Sequence, residues 1–84
     1  MIEVGNLSQN TLIMALYKIT TKRKFVNGNL LIDKGMTVQV SSFAANPLYY
    51  NDGDDVNNAF IRIFGIDLKP QGLLSATFLE VEKM

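Results

Sequence analysis

One stretch of this chain carries the period of a helix. Val56, Ala59, Phe60, Ile63 and Phe64 fall at i, i+3, i+4, i+7 and i+8, which gathers them into a single apolar stripe. The other regular segments alternate apolar and polar residues, the period of a strand. A lone helix has to bury its stripe on something, and here only a sheet is on offer. The pattern therefore predicts an α+β fold. With 84 residues there is room for one such core.

The helix has readable limits. Asn51-Asp52-Gly53-Asp54 is a turn-forming run, and either Asp52 or Asp54 is expected to cap the helix, since a carboxylate accepts from the free N–H groups of the first turn. Gly65 is expected to end it in the left-handed conformation, with Ile66 packing back on the last turn.

Residues Ala15–Val26 read as a strand, with Tyr17, Ile19, Thr21 and Phe25 on one face and Lys18, Thr20, Lys22 and Lys24 on the other. Asn27-Gly28 is a hairpin signal, because both residues tolerate the positive φ of a type I′ turn. Leu30–Ile32 follows, then the turn Asp33-Lys34-Gly35, then Met36–Ser42 with Met36, Val38 and Val40 facing in. These make a three-stranded meander. A last strand over about Ser75–Glu82 completes a three- to four-stranded antiparallel sheet with one helix packed across it.

Residues 1–13 sustain neither period and are read as an N-terminal arm on a single domain of residues 14–84. Leu7, Leu12 and Ile13 give the arm apolar surface to bury on its own domain or on a neighbour.

Composition narrows the chemistry. There is no cysteine and no histidine, so the chain has no thiol nucleophile, thiolate metal site, Ser-His-Asp triad or zinc finger. The acidic run Asn51–Asp55 lacks the twelve-residue spacing and closing Glu of a calcium loop, and turn plus helix start explains it better. The glycines stand singly, so none forms a phosphate-binding loop. Asp33, Asp67, Glu80 and Glu82 belong to no acid–base motif, and Glu80 and Glu82 are placed to pair with Lys18 or Lys22 across a ladder. No enzyme activity, cofactor, metal or small-molecule substrate is expected. No apolar run approaches the ~20 residues of a membrane span, and the first residues lack a signal peptide's basic start and apolar core. A cytoplasmic protein, or one assembled in the cytoplasm into a particle, is the expectation.

The segments LYKITTKRKFVNG, LLIDKGMTVQV, AFIRIFGIDLK and FLEVEKM resemble a small uncharacterised family from gut Bacteroidetes and their phages or mobile elements. The resemblance spans Met14 to Met84, implies a phage or mobile-element setting and supplies no functional residues.

Two surfaces remain as candidates. Tyr49 and Tyr50, in a loop unusually rich in aromatics, and Ile61, off the helix stripe, join the arm as a protein-contact surface for a partner or for self-association. Lys18, Lys22, Arg23 and Lys24, flanked by Tyr17 and Phe25, form a basic hairpin that could follow phosphates, although alternation sends Arg23 to the face opposite Lys22 and Lys24. Net charge is zero, split as +3 over residues 1–50 and −3 over residues 51–84, which suits association better than a uniformly basic coat. The leading expectation is a structural or interaction subunit of a larger or repeated assembly, such as a phage particle. The alternative is a small nucleic-acid-binding accessory protein.

Overall fold

The structure is a computed structural model and describes residues 14–84. The arm, with Leu7, Leu12 and Ile13, lies outside the described residues. The class is α+β. Strands β1 (Ala15–Thr21), β4 (Thr37–Ser42) and β5 (Leu79–Lys83) form an antiparallel sheet in the order β4-β1-β5. A separate two-stranded hairpin is made by β2 (Phe25–Asn27) and β3 (Leu30–Ile32). One helix, α1 (Asp54–Phe64), packs against β4.

Alternation places the sheet's inner face. Tyr17, Ile19 and Thr21 of β1, Val38 and Val40 of β4 and Leu79 of β5 are all buried. Val56, Ala59 and Phe60 descend onto them from α1, and Ile32, Leu48, Ile66, Leu68, Leu73 and Phe78 close the sides. Phe25 meets Phe78 edge-on with ring centroids 6.3 Å apart, which ties the hairpin to the same core.

The arrangement departs from a simple meander. The expected long strand Ala15–Val26 stops at Thr21, and the hairpin leaves the sheet there. Thr21 explains the break. Its N–H donates to the Met36 carbonyl (2.9 Å), its carbonyl accepts from Gly35 N–H (2.9 Å), and its hydroxyl donates to the Asp33 carbonyl (2.7 Å) while accepting from Met36 N–H (2.8 Å). These bonds tie the turn at residues 33–36 to the end of β1, so β4 returns directly beside β1, Ile19 opposite Val38 and Tyr17 opposite Val40. The final strand starts later than expected, at Leu79. Ser75 accepts from Phe78 and Leu79 N–H in a turn, and that turn rather than strand parity drives Phe78 inward.

The helix also differs from expectation at its start. Neither Asp52 nor Asp54 caps it. Asn51, Asp52 and Gly53 all have positive φ, the cap position falls on Gly53, and no side chain accepts from the first-turn amides. Only glycine fits there, since a Cβ would lie 3.2 Å from the Leu48 carbonyl oxygen and 3.3 Å from Leu74 Cδ1 in a left-handed backbone. At the other end Gly65 does terminate the helix with φ 70, and Ile66 folds back to be buried, its N–H 3.3 Å from the Phe60 carbonyl. The stripe, however, is buried only over its first two turns. Ile63 is 56% exposed and Phe64 39%, because the last turn of α1 runs past the packed residues, and Phe64 leans on the Phe60 ring at 5.9 Å.

Phe60→Ala should cost ~3–5 kcal/mol, as expected for a fully buried ring, and Phe64→Ala only ~1 kcal/mol. Thr21→Val keeps the shape but strands Met36 N–H, a loss of ~1–3 kcal/mol. Urea unfolding of the three variants gives the order; equal losses for Phe60 and Phe64 would contradict the overhanging helix end.

Candidate interaction surface

Among the described residues, the helix covers one face of the sheet and leaves the other open. Side chains on the open face come from alternate positions: Leu16, Lys18 and Thr20 on β1, Thr37, Gln39 and Ser41 on β4, and Glu80 and Glu82 on β5. Its middle is polar, as an antiparallel sheet facing water should be. Lys18 Nζ lies 3.6 Å from Glu82 Oε1, and the Thr20 and Thr37 hydroxyls are 3.3 Å apart. Both contacts are exposed, and the ion pair contributes ~0–1 kcal/mol.

One end of this face breaks the rule. Leu16 pairs with Ser41, the Met84 N–H donates to the Leu16 carbonyl (2.8 Å), and Met14 and Phe43 extend the same side of β1 and β4 by one step. Met14, Leu16, Phe43 and Met84 are 40–60% exposed and border a groove of about 580 Å³. Four large apolar side chains thus share one end of a face where alternation calls for polar residues. The loop beneath is fixed, since the Tyr17 hydroxyl reaches the carbonyls of Ala44 (2.7 Å) and Ala45 (3.1 Å).

The contact residues read from the sequence lie elsewhere. Tyr49, 70% exposed, and Tyr50 stand out from a loop anchored by buried Leu48, whose N–H donates to Asn46 Oδ1 (2.9 Å). Ile61 is exposed on the last turns of α1, where Ile63 and Phe64 are exposed too. The sequence reading names none of Met14, Leu16 and Met84 among its candidates, although all three are exposed apolar side chains. The available signal was parity, because Leu16 shares a strand face with Lys18.

The basic residues are spread over the fold. Lys18 faces Glu82 on the open face, Lys22 Nζ donates to the Ala76 carbonyl (2.9 Å), and the Arg23 guanidinium sits 5.6 Å above the Phe78 ring. Only Lys24 of the four makes no such contact with another described residue.

The acidic residues hold loops. Asp54 bonds Lys69, and this hydrogen bond holds the Lys69 ammonium above its ordinary value of 10.5. The raised lysine pKa means that Lys69 keeps its charge through neutral pH and loses it only as pH rises into the alkaline range. Asp67 Oδ1 accepts from Asn57 Nδ2 (2.8 Å), while Asn57 Oδ1 accepts from Leu68 N–H (2.7 Å), so buried Asn57 clips α1 to the segment that follows it. Among the described residues no three acidic side chains gather as metal ligands would, and no helix is long and apolar enough to cross a membrane.

These features define a small α+β domain with one sheet face packed, one open, and apolar side chains collected at the open face's end. The chain belongs to a family of unknown function, DUF6140, whose model matches residues 14–81. No curated protein and no solved structure is significantly similar to it.

Asn57→Ala leaves the buried Leu68 N–H without its acceptor and should cost ~1–3 kcal/mol, lowering Tm by several degrees for each kcal/mol in a domain of this size. An unchanged melting curve would mean that the clip contributes nothing.

Proposed function

We propose that this protein is a non-enzymatic structural or protein-interaction subunit of a larger or repeated assembly. The observation that carries this reading is the apolar end of the open sheet face, where Met14, Leu16, Phe43 and Met84 stand in solvent beside the entry to β1. Exposed clusters of this kind mark association surfaces. The exposed Tyr49, Tyr50 and Ile61 add area of the residue types that protein interfaces favour. The resemblance to proteins of gut Bacteroidetes and their phages or mobile elements suggests a particle or element of that kind as the setting, with assembly in the cytoplasm.

The basic residues support a nucleic-acid reading less well. Lys18 faces Glu82 on the open sheet face, Lys22 bonds the Ala76 carbonyl and Arg23 turns to the Phe78 ring, so the four cations do not line up as one patch along which phosphates could lie, and affinity for nucleic acid scales with the number of phosphates contacted.

Light scattering on the full chain across a salt series tests the proposal. Apolar association should survive 0.5 M salt, where charges are screened beyond roughly 4–5 Å. Leu16→Glu and Phe43→Ser should weaken it at least about tenfold while leaving Tm nearly unchanged, since both side chains are exposed. Submicromolar, salt-sensitive oligonucleotide binding abolished by Lys22→Glu and Lys24→Glu would overturn the proposal in favour of the nucleic-acid reading.

A further inference from the structure

The sheet has two edges, and they are not alike. β5 carries Glu80, Glu82 and Lys83 within its five residues, the charged guard that keeps an edge from pairing. β4, Thr-Val-Gln-Val-Ser-Ser, carries no charge, proline or glycine.

The hydrogen-bond phase shows what this edge offers. Antiparallel strands bond at every second residue. The bond from Thr21 N–H to the Met36 carbonyl sets the phase, so Val38, Val40 and Ser42 turn their backbone groups toward β1. Thr37, Gln39 and Ser41 turn theirs outward, where they meet no backbone partner among the described residues.

Beside this edge lies a groove of about 390 Å³ between Gln39, Val40 and Ser41 and the flank of α1. The flank consists of Asp55, Asn58, Ala59 and Arg62, spaced i, i+3, i+4 and i+7 on one side of the helix. Asp55 and Arg62 stand about two turns apart, ~10 Å along the axis, and neither forms an ion pair with another described residue. At their midpoint are Asn58 and the small Ala59, and the strand residues beside them centre on Val40.

A surface with opposite charges at its two ends and an uncharged centre is complementary to itself under a two-fold rotation, which is what an isologous interface requires. We infer that the β4 edges of two copies of this chain pair antiparallel, giving one continuous sheet in the order β5-β1-β4-β4-β1-β5. The two-fold axis is perpendicular to the sheet near Val40. Both helices lie on the same face and run antiparallel, with Asp55 of each copy opposite Arg62 of the other. The outward groups of Thr37, Gln39 and Ser41 then bond across the axis, and the exposed Asn58 of each copy lies at the middle of the facing helix flanks. The inference rests on the reading of the chain as an assembly subunit and supplies one interface of that assembly. The apolar end of the open face, on a different surface, is left to join dimers.

The test is sedimentation of the full chain over a concentration series. The wild type should dimerise, and Asp55→Lys or Arg62→Glu alone should weaken the dimer at least about tenfold, because each substitution places like charges opposite one another twice. Mixing the two variants restores both opposite-sign pairs, so the mixture should recover a heterodimer near wild-type affinity. Circular dichroism confirms that each variant is folded. On the wild type, amide exchange at Thr37, Gln39 and Ser41 should slow as concentration rises, a readout that needs no variant. A wild type that stays monomeric throughout overturns the inference, as does a dimer indifferent to both reversals. A dimer lost with Leu16→Glu yet unmoved by the charge variants also overturns edge pairing, while leaving the subunit role standing.

Discussion

The end of β1 is held by Thr21, and much of the molecule follows from that hold. Its side chain and backbone together bind the turn at residues 33–36 through four hydrogen bonds of 2.7–2.9 Å. With the turn tied there, the hairpin β2–β3 is looped out of the sheet and β4 falls in register against β1. Phe25 and Ile32 then close the core from the side instead of extending the sheet, which is why Phe25 meets Phe78. The same hold makes β4 an edge strand. Had β3 stayed in the sheet beside β4, no free edge would face the flank of α1.

A chain this short has more apolar residues than its core can hold, since surface outweighs volume in small domains. The surplus is gathered in particular places. Met14, Leu16, Phe43 and Met84 share one end of the open sheet face, and Ile61, Ile63 and Phe64 share the overhanging end of α1. Scattered single residues would need no explanation, whereas contiguous groups favour association. The contacts proposed for the β4 edge and the apolar sheet end would give one small domain the two surfaces that a repeated assembly needs. An isologous interface closes on itself at the dimer, and extension beyond it needs a second surface.

Charge is organised in the same economical way. The basic half meets the acidic half at the surface where Lys18 pairs with Glu82, while Lys69 and Asp54 form an exposed pair within the acidic half. The run Lys22-Arg23-Lys24, which looks like a basic patch when read linearly, is divided by the turn out of β1. Arg23 goes to the Phe78 ring and Lys22 to the Ala76 carbonyl. What remains available in the β4–α1 groove is one charge of each sign, Asp55 and Arg62.

Local order was legible in the sequence because it depends on neighbours a few residues apart. Alternation placed Tyr17, Ile19, Val38 and Val40 inward, helical spacing marked Val56, Ala59 and Phe60, and Gly65 ended the helix as a glycine in the left-handed region should. Strand parity put Glu80 and Glu82 within reach of Lys18 or Lys22, and the pair that forms is Lys18 with Glu82. Which strands would be neighbours was not legible, since it turns on contacts such as that between Thr21 and Met36, fifteen residues apart. The helix cap was misread because three successive positive φ angles carry the chain into α1 and put Gly53 at the cap. Ile63 and Phe64 fit the stripe perfectly, yet only the extent of the packed layer beneath α1 decides whether a stripe residue has anything to lie on. So the sequence by itself determined which segments carry strand or helix period and the inward faces of β1, β4 and the first turns of α1, because these depend on residues a few positions apart. The tertiary structure alone decided strand order, the free edge of β4 and the apolar end of the open face, because these arise from residues that meet only when distant segments pack.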